Sequence, residues 1–236
     1  MGDLYAYATE YIQDLAKRRG FFVSASFVQR PSISGFQPDD AGSNPAGCSI
    51  SGGFMQHIAI CASGPSLTIS DCELISAAGI PLIAVNSSWR AAPRCQFIYA
   101  GDLRWWDKSI SSISSNAEKW TCNTHAARRY GLNLFETDTS GTFNSGQRSI
   151  LFAASLGVEK IILVGFDCSV TNGLHWHGSH AAMDNPTADC AERWKGEFRR
   201  TADALMGKVQ IVNCSRKTSL NCFPKAQLEH VIRETR

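Results

Sequence analysis

Five short apolar runs set the strongest limit on what this chain can fold into: HIAICAS (57–63), PLIAVN (81–86), QFIYAG (96–101), KIILVGFD (160–167) and VQIVNCS (209–215). Each is rich in Ile, Val and Leu and apolar on both faces, the pattern of a strand buried inside a sheet. Amphipathic stretches between them predict helices over 69–78, 103–115, 146–156, 188–206 and 224–234. Pro224 suits the first turn of the last helix, where its missing N–H would have had no partner. Gly79 and Gly157 fall just after helices, where a left-handed residue is wanted. Serines between 109 and 115 leave the end of the second helix open. Alternation of this kind implies an α/β fold, a single domain with a mostly parallel sheet and helices on both faces.

The regime changes near residue 55. Residues 1–19 read as one modest helix, and 30–54 (RPSISGFQPDDAGSNPAGCSISGGF) are dense in Gly, Pro, Ser and Asp with no apolar period. Such a stretch buries too little surface to offset its chain entropy and is expected to be mobile. Residues 1–54 therefore read as an N-terminal extension, or as a mis-assigned start. Gly42-Ser43-Asn44-Pro45 is what GGT-TCG-AAT-CC encodes, the T-arm sequence of many tRNA genes, which points to upstream DNA read in frame and to Met55 as the start. The working domain is then 55–236, with 19 basic and 16 acidic side chains.

Over the whole 236 residues the formal net charge is +2, too small to make nucleic acid or a membrane surface the main partner. No run of eighteen apolar residues is present, which excludes a spanning helix, and the first residues lack a secretory signal. The nine cysteines form no C-x-x-C pair, and several lie in apolar runs. Free buried thiols in a reducing cytoplasm (the host's, for a phage gene) fit this better than a disulfide framework or a zinc site.

Ligands of open α/β sheets bind beyond the carboxyl ends of the strands, so those ends hold the candidate residues. After the first strand stand Ser63, Gly64, Pro65 and Ser66, either a plain turn or a loop offering amides and hydroxyls to an anion. Asn86 follows the second strand and Asp102 the third; each is a cap, a turn residue or a contact to a base or ribose. Trp89, Trp105 and Trp106 are packing residues or stacking surfaces. Asn144, Ser145 and Gly146 open the helix before the fourth strand, as caps or as a grip on phosphate or sugar. Asp167 ends a buried strand, where an acid is costly unless it binds something. His175, His177 and His180 follow it on one loop. These histidines and Asp167 are candidate acid–base groups or ligands of a divalent metal, against the plainer reading of a solvated loop.

Taken in order, ICASGPSL, VNSSW, FNSG before a helix, LGVEKIILVGFD, the His loop and VNCSRKTSL resemble the bacterial sialyltransferases that use CMP-activated sialic acid. The series is similar also to the family that includes archaeal 6-hydroxymethylpterin diphosphokinases. Phage reading frames of unassigned activity share this style, including HWHG. The resemblance covers 57–222 and implies a Rossmann-like fold. It also implies a nucleotide or nucleotide-sugar donor against Ser63–Ser66, Asn86 on its base or ribose, and Ser145 and Gly146 on its sugar or phosphate. A loop histidine would be the base. The sialyltransferase loop has Gly-Asn-Gly-Pro-Ser, whereas this chain has Ala62-Ser63-Gly64-Pro65-Ser66 and lacks the Asn amide. The tyrosines those enzymes place around the leaving phosphate have no match after Asp167.

The expectation is a nucleotide-dependent transferase, glycosyltransferase-like, with a small-molecule ligand and an acceptor the sequence does not name. Self-association into a homo-oligomer is left open. Two alternatives stand beside it. One is a diphosphokinase-type enzyme in which Asp167 and loop histidines hold Mg²⁺ against a triphosphate. The other is a nucleotide-binding protein without catalysis.

Overall fold

The computed structural model describes residues 55–136, 144–171, 173–178 and 185–235. The expected N-terminal extension, 1–54, lies outside them, as does His180. Among the described residues seven strands form one sheet: β1 (His57–Cys61), β2 (Leu82–Val85), β3 (Phe97–Tyr99), β4 (Glu118–Thr121), β5 (Asn133–Leu134), β6 (Lys160–Val164) and β7 (Gln210–Asn213). Their order is β5-β4-β3-β2-β1-β6-β7, and every pairing between these strands is parallel. The chain steps outward from β1 to β5, then returns to the other side of β1 for β6. The switch point of the sheet thus lies between β1 and β6, whose five paired positions run from His57–Lys160 to Cys61–Val164.

Six helices among the described residues cover the two faces: α1 (Ile69–Ala77), α2 (Leu103–Ser109), α3 (Thr124–Tyr130), α4 (Ser145–Ser155), α5 (Ala188–Leu205) and α6 (Leu228–Glu234). One core layer packs Cys72 and Ile75 of α1, Trp105 and Trp106 of α2, Ala126 of α3 and Val231 and Ile232 of α6 against alternate strand residues such as Ala59, Leu82 and Ile98. The opposite layer packs Ile150 to Ala154 of α4 and Phe198 and Leu205 of α5 against Ile58, Ile60, Ile83 and Ile161. Ile58, Ile60, Leu82, Ile83, Ile98 and Ile161 are wholly buried, each contributing about 1.5–3 kcal/mol from its removal from water. Phe152 anchors the second layer, with Tyr99 stacked at 5.7 Å and Trp120 tilted over it at 4.7 Å.

Short caps set where the helices begin. Thr68 and Asp71 form a reciprocal capping box on α1, Asn144 accepts from the Gln147 amide at α4, and Thr187 accepts from the Cys190 amide at α5. Asp71 is also buried against Arg216, whose guanidinium reaches both carboxylate oxygens and ties α1 to the segment after β7.

All five expected strands are present, though several stop short of the apolar run that announced them. Gly79 and Gly157 follow α1 and α4 with positive φ, as expected. Three expectations need correction. The second helix ends at Ser109 and continues only as a 3-10 turn over Ile110–Ser112. Pro224 does not open the last helix: its carbonyl accepts from the Asn213 amide, Lys225 bridges to Asn213, and the chain runs beside β7 before α6 begins at Leu228. An additional α3 with β4 and β5 extends the sheet beyond β3, where no strand was expected. The eight described cysteines are all free, as the sequence implied. Among the described residues no helix is long and apolar enough to cross a membrane.

Candidate functional site

The loops after β1 and β6 are joined directly above the switch point. The Ala62 amide donates to the Val164 carbonyl at 2.9 Å and the Gly64 amide to the Gly165 carbonyl at 2.8 Å, so pairing continues past both strand ends. This approach requires glycine twice. A β-carbon at Gly64 would overlap Asp167 Oδ1 and the Gly165 carbonyl, and Gly165 has φ of +71° with the Ala62 carbonyl against it. Beyond the glycines, Asp167 accepts from the Ser66 amide at 2.9 Å and from its hydroxyl at 2.6 Å. Asp167 is buried, and burial raises its carboxyl above the ordinary range while the two bonds from Ser66 pull it partly back. Behind it, Ser219 donates to the Asp167 carbonyl, and Ser215 and Thr218 bond the Phe166 amide and carbonyl.

Other candidate residues also serve as ties. The Ser63 hydroxyl lies 3.3 Å from the Val85 carbonyl and 3.2 Å from the Ser88 hydroxyl, linking β1 to the end of β2. Ser145 accepts from the Gly101 amide at 3.0 Å, pinning the start of α4 to the end of β3. Asp102 caps α2 by accepting from the Arg104 amide at 2.8 Å.

These strand ends and helix starts line an open cavity of about 650 Å³. It is lined by Gly64, Pro65, Asn86 and Asp102, by the first turn of α4 and by the first turns of α5. Asn86 sits at φ of +51°, and Cys168, which also lines the cavity, at +49°. Both are sparsely populated for a side-chain-bearing residue, and such positions gather at functional sites. Asn86 Oδ1 and Asn144 Nδ2 are buried and have no hydrogen-bond partner among the described residues. The first is an acceptor and the second a donor, and both residues line the cavity.

The fold is similar to that of the MAf glycosyltransferase from Magnetospirillum magneticum AMB-1, with a TM-score of 0.53 at 14% identity. The likeness is one of fold. It covers 75% of this chain and 34% of the other, so the chain spans about a third of that protein's length. No protein-family model and no curated protein matches the sequence.

Of the residues singled out from the sequence, Ser63, Gly64, Pro65, Asn86, Asp102, Asn144, Ser145, Gly146, Asp167 and His175 all line the cavity. Ser66 and His177 do not. Ser66 turns its hydroxyl and amide to Asp167, and His177 stacks on the His175 ring at 5.3 Å with the planes 6° apart. The loop bearing both histidines rests on the glycine loop through the Trp176 amide, which donates to the Ser63 carbonyl. Trp105 also faces the cavity, while its indole N–H donates to Ser87. Among the described residues no three His, Cys, Asp or Glu side chains gather as a metal-holding group. A divalent ion at Asp167 would have to compete with both bonds from Ser66.

Sequence reading missed Arg104, Arg148, Cys190 and Trp194, which line the same cavity. A usable signal existed for two of them. Arg104 stands two residues after the cap Asp102 and Arg148 four after the cap Asn144, so both project from first turns at the strand-end rim. Cys190 stands three after the cap Thr187. Hydrogen bonds from Thr187 and then the Arg193 guanidinium, at 3.2 Å from its sulfur, bring its thiol down to about 7. Burial instead pushes Cys168 up to about 12.

Proposed function

We propose that this chain is a nucleotide-dependent group transferase of the glycosyltransferase type, with His175 as the base. The observation that carries the reading is the shared cavity: the glycine loop, Asn86, the start of α4 and His175 all line it. Its volume suits a nucleotide-sized ligand. His175 is favoured over His177 because its residue, not its neighbour, lines the space. In the proposed step His175 takes the proton of an acceptor hydroxyl as that oxygen attacks the sugar's anomeric carbon. The bond from that carbon to the phosphate oxygen breaks, and the nucleoside phosphate leaves with the electron pair. A positioned base of this kind supplies roughly 10²–10⁴-fold in rate, and donors aimed at the departing phosphate stabilise the charge that grows there. The neighbouring fold, that of a protein named as a glycosyltransferase, is consistent with this chemistry.

The test is a thermal-shift panel of CMP, UDP, ADP, GDP and their sugar conjugates, with Mg²⁺ or with EDTA. A ligand at 100 times its Kd adds about 2.7 kcal/mol, a visible rise in Tm. A stabilising nucleotide sugar that is then consumed in EDTA supports transfer. Silence across the panel removes the reading, and turnover that demands Mg²⁺ and releases AMP replaces it with the diphosphokinase alternative.

A further inference from the structure

We infer that Trp194 is the platform on which the ligand's base stacks. The inference rests on the nucleotide reading above and says which part of the ligand α5 receives. Among the described residues, five aromatic side chains line the cavity: Trp105, Phe166, His175, Trp194 and Phe198. Four of them already face protein rings. Trp105 is buried, meets Trp106 edge to face with centroids 4.8 Å apart, and donates its indole N–H to Ser87. Phe166 and Phe198 are buried and meet each other edge to face at 5.9 Å. The His175 ring lies parallel to that of His177. Trp194 differs on each count. It is half-buried, and among the described residues its indole takes part in no ring pair and no hydrogen bond. It also packs on the core layer that holds Phe198, so the indole is anchored but not covered.

The surroundings of Trp194 on its helix decide between the base and the sugar. Cys190, Ala191, Trp194 and Phe198 of α5 all line the cavity, a spacing that puts them on one stripe of the helix. Ala191 and Phe198, one turn before Trp194 and one turn after it, carry no hydrogen-bonding side chain. Sugar hydroxyls laid over that stretch would give up water without gaining a partner. A base has no such cost, because its donors and acceptors lie around its edge and its faces are apolar. An uncovered indole is the natural partner for such a face, by offset stacking. Stacking of this kind tolerates any base, since each presents a π-face. Trp194 therefore selects for the presence of a base, and contacts to the edge select which one.

Isothermal titration of the full chain in EDTA, with CDP, ADP and ribose 5-phosphate, tests this. Trp194→Ala is expected to weaken whichever of CDP and ADP the wild type binds, on the order of tenfold or more, the usual loss when a stacking platform is truncated. Trp194→Phe weakens it by a smaller factor. Whatever affinity the wild type has for ribose 5-phosphate, which carries sugar and phosphate but no base, is kept by Trp194→Ala. The bound nucleotide should also quench part of the wild type's tryptophan fluorescence. Trp194→Phe should lose that quench, and Trp120→Phe, whose ring packs on Phe152, should keep it. This optical readout carries the test if Trp194→Ala fails to fold. Wild-type nucleotide affinity in Trp194→Ala, or an equal loss for ribose 5-phosphate, overturns the inference and leaves the nucleotide reading standing. So does a quench that survives Trp194→Phe. If the wild type binds neither CDP nor ADP, the nucleotide reading fails and the inference fails with it.

Discussion

Asp167 grips Ser66 twice, taking its amide at 2.9 Å and its hydroxyl at 2.6 Å, although the two residues lie 101 positions apart. This contact seals the gap between the two central strand ends, where a sheet of this order diverges. Asp167→Ala leaves two donors beneath the cavity without their acceptor, and the expected cost is about 1–3 kcal/mol of unfolding free energy. Urea denaturation of both proteins measures it, and an unchanged midpoint contradicts the role assigned to the contact.

The same carboxyl gives the fold a pH signature. Burial raises its pKa above the ordinary value, more than the bonds from Ser66 lower it. The folded chain therefore binds this proton more tightly than the unfolded chain does. The resulting stabilisation is fully present below the ordinary carboxylate range and is lost as pH rises through the raised value. Stability of wild type relative to Asp167→Asn should be greatest in acid, decline across that window and stay flat above it. A gap that widens with rising pH reverses the sign and refutes the assignment.

Two glycine replacements should act in opposite directions. Gly64→Ala drives a methyl into Asp167 and the Gly165 carbonyl, with an expected loss of about 1–3 kcal/mol or more. Gly196 lies exposed within α5 and has open space around its missing side chain. Gly196→Ala should gain about 0.5–1 kcal/mol from helix propensity alone. Paired urea curves decide both.

Cys190 should be the first described thiol to react. At about 7 it is half thiolate near neutrality, whereas Cys95, Cys168 and Cys214 are raised to about 11, 12 and 12. Iodoacetamide labelling followed by peptide mass mapping should show Cys190 modified first, with its rate rising through pH 7. Arg193→Gln removes a donor to the sulfur and should move that rise to higher pH. Equal labelling of all four cysteines runs against the environment described.

For catalysis, His175→Gln should lower turnover by roughly 10²–10⁴-fold while nucleotide binding, read by thermal shift, persists. His177→Gln should lose less, since His175 lines the cavity and His177, stacked on it, does not. The reverse ranking moves the base to the other ring.

The central sheet was legible because its strands are apolar on both faces, a pattern that no surface segment imitates. β4 was not, because Glu118-Lys119-Trp120-Thr121 lies toward the sheet edge and only Thr121 is buried. β5 has two residues, too few for any period. Pro224 misled because a residue with no amide to donate can still accept, and its carbonyl does so beside β7. Strand-end residues of the site could be read from their position after apolar runs. The bonds that occupy Ser66 could not, since its partner lies 101 residues away. Arg104 and Arg148 were overlooked for a related reason: an arginine in a first helical turn looks like a solvated one until the strand end opposite it is known.

The quartet Gly64, Ser66, Gly165 and Asp167 has a consequence for how relatives of this chain can diverge. Each member is tolerable only while the others stand: the bare α-carbon of Gly64 makes room for the carboxylate, that of Gly165 lets the Ala62 carbonyl approach, and the carboxylate holds the hydroxyl. Single substitutions there meet a penalty that a second or third would relieve. Lineages should inherit the four positions together or exchange them as a set, so their joint variation across divergent sequences would mark the seam more clearly than identity at any one site.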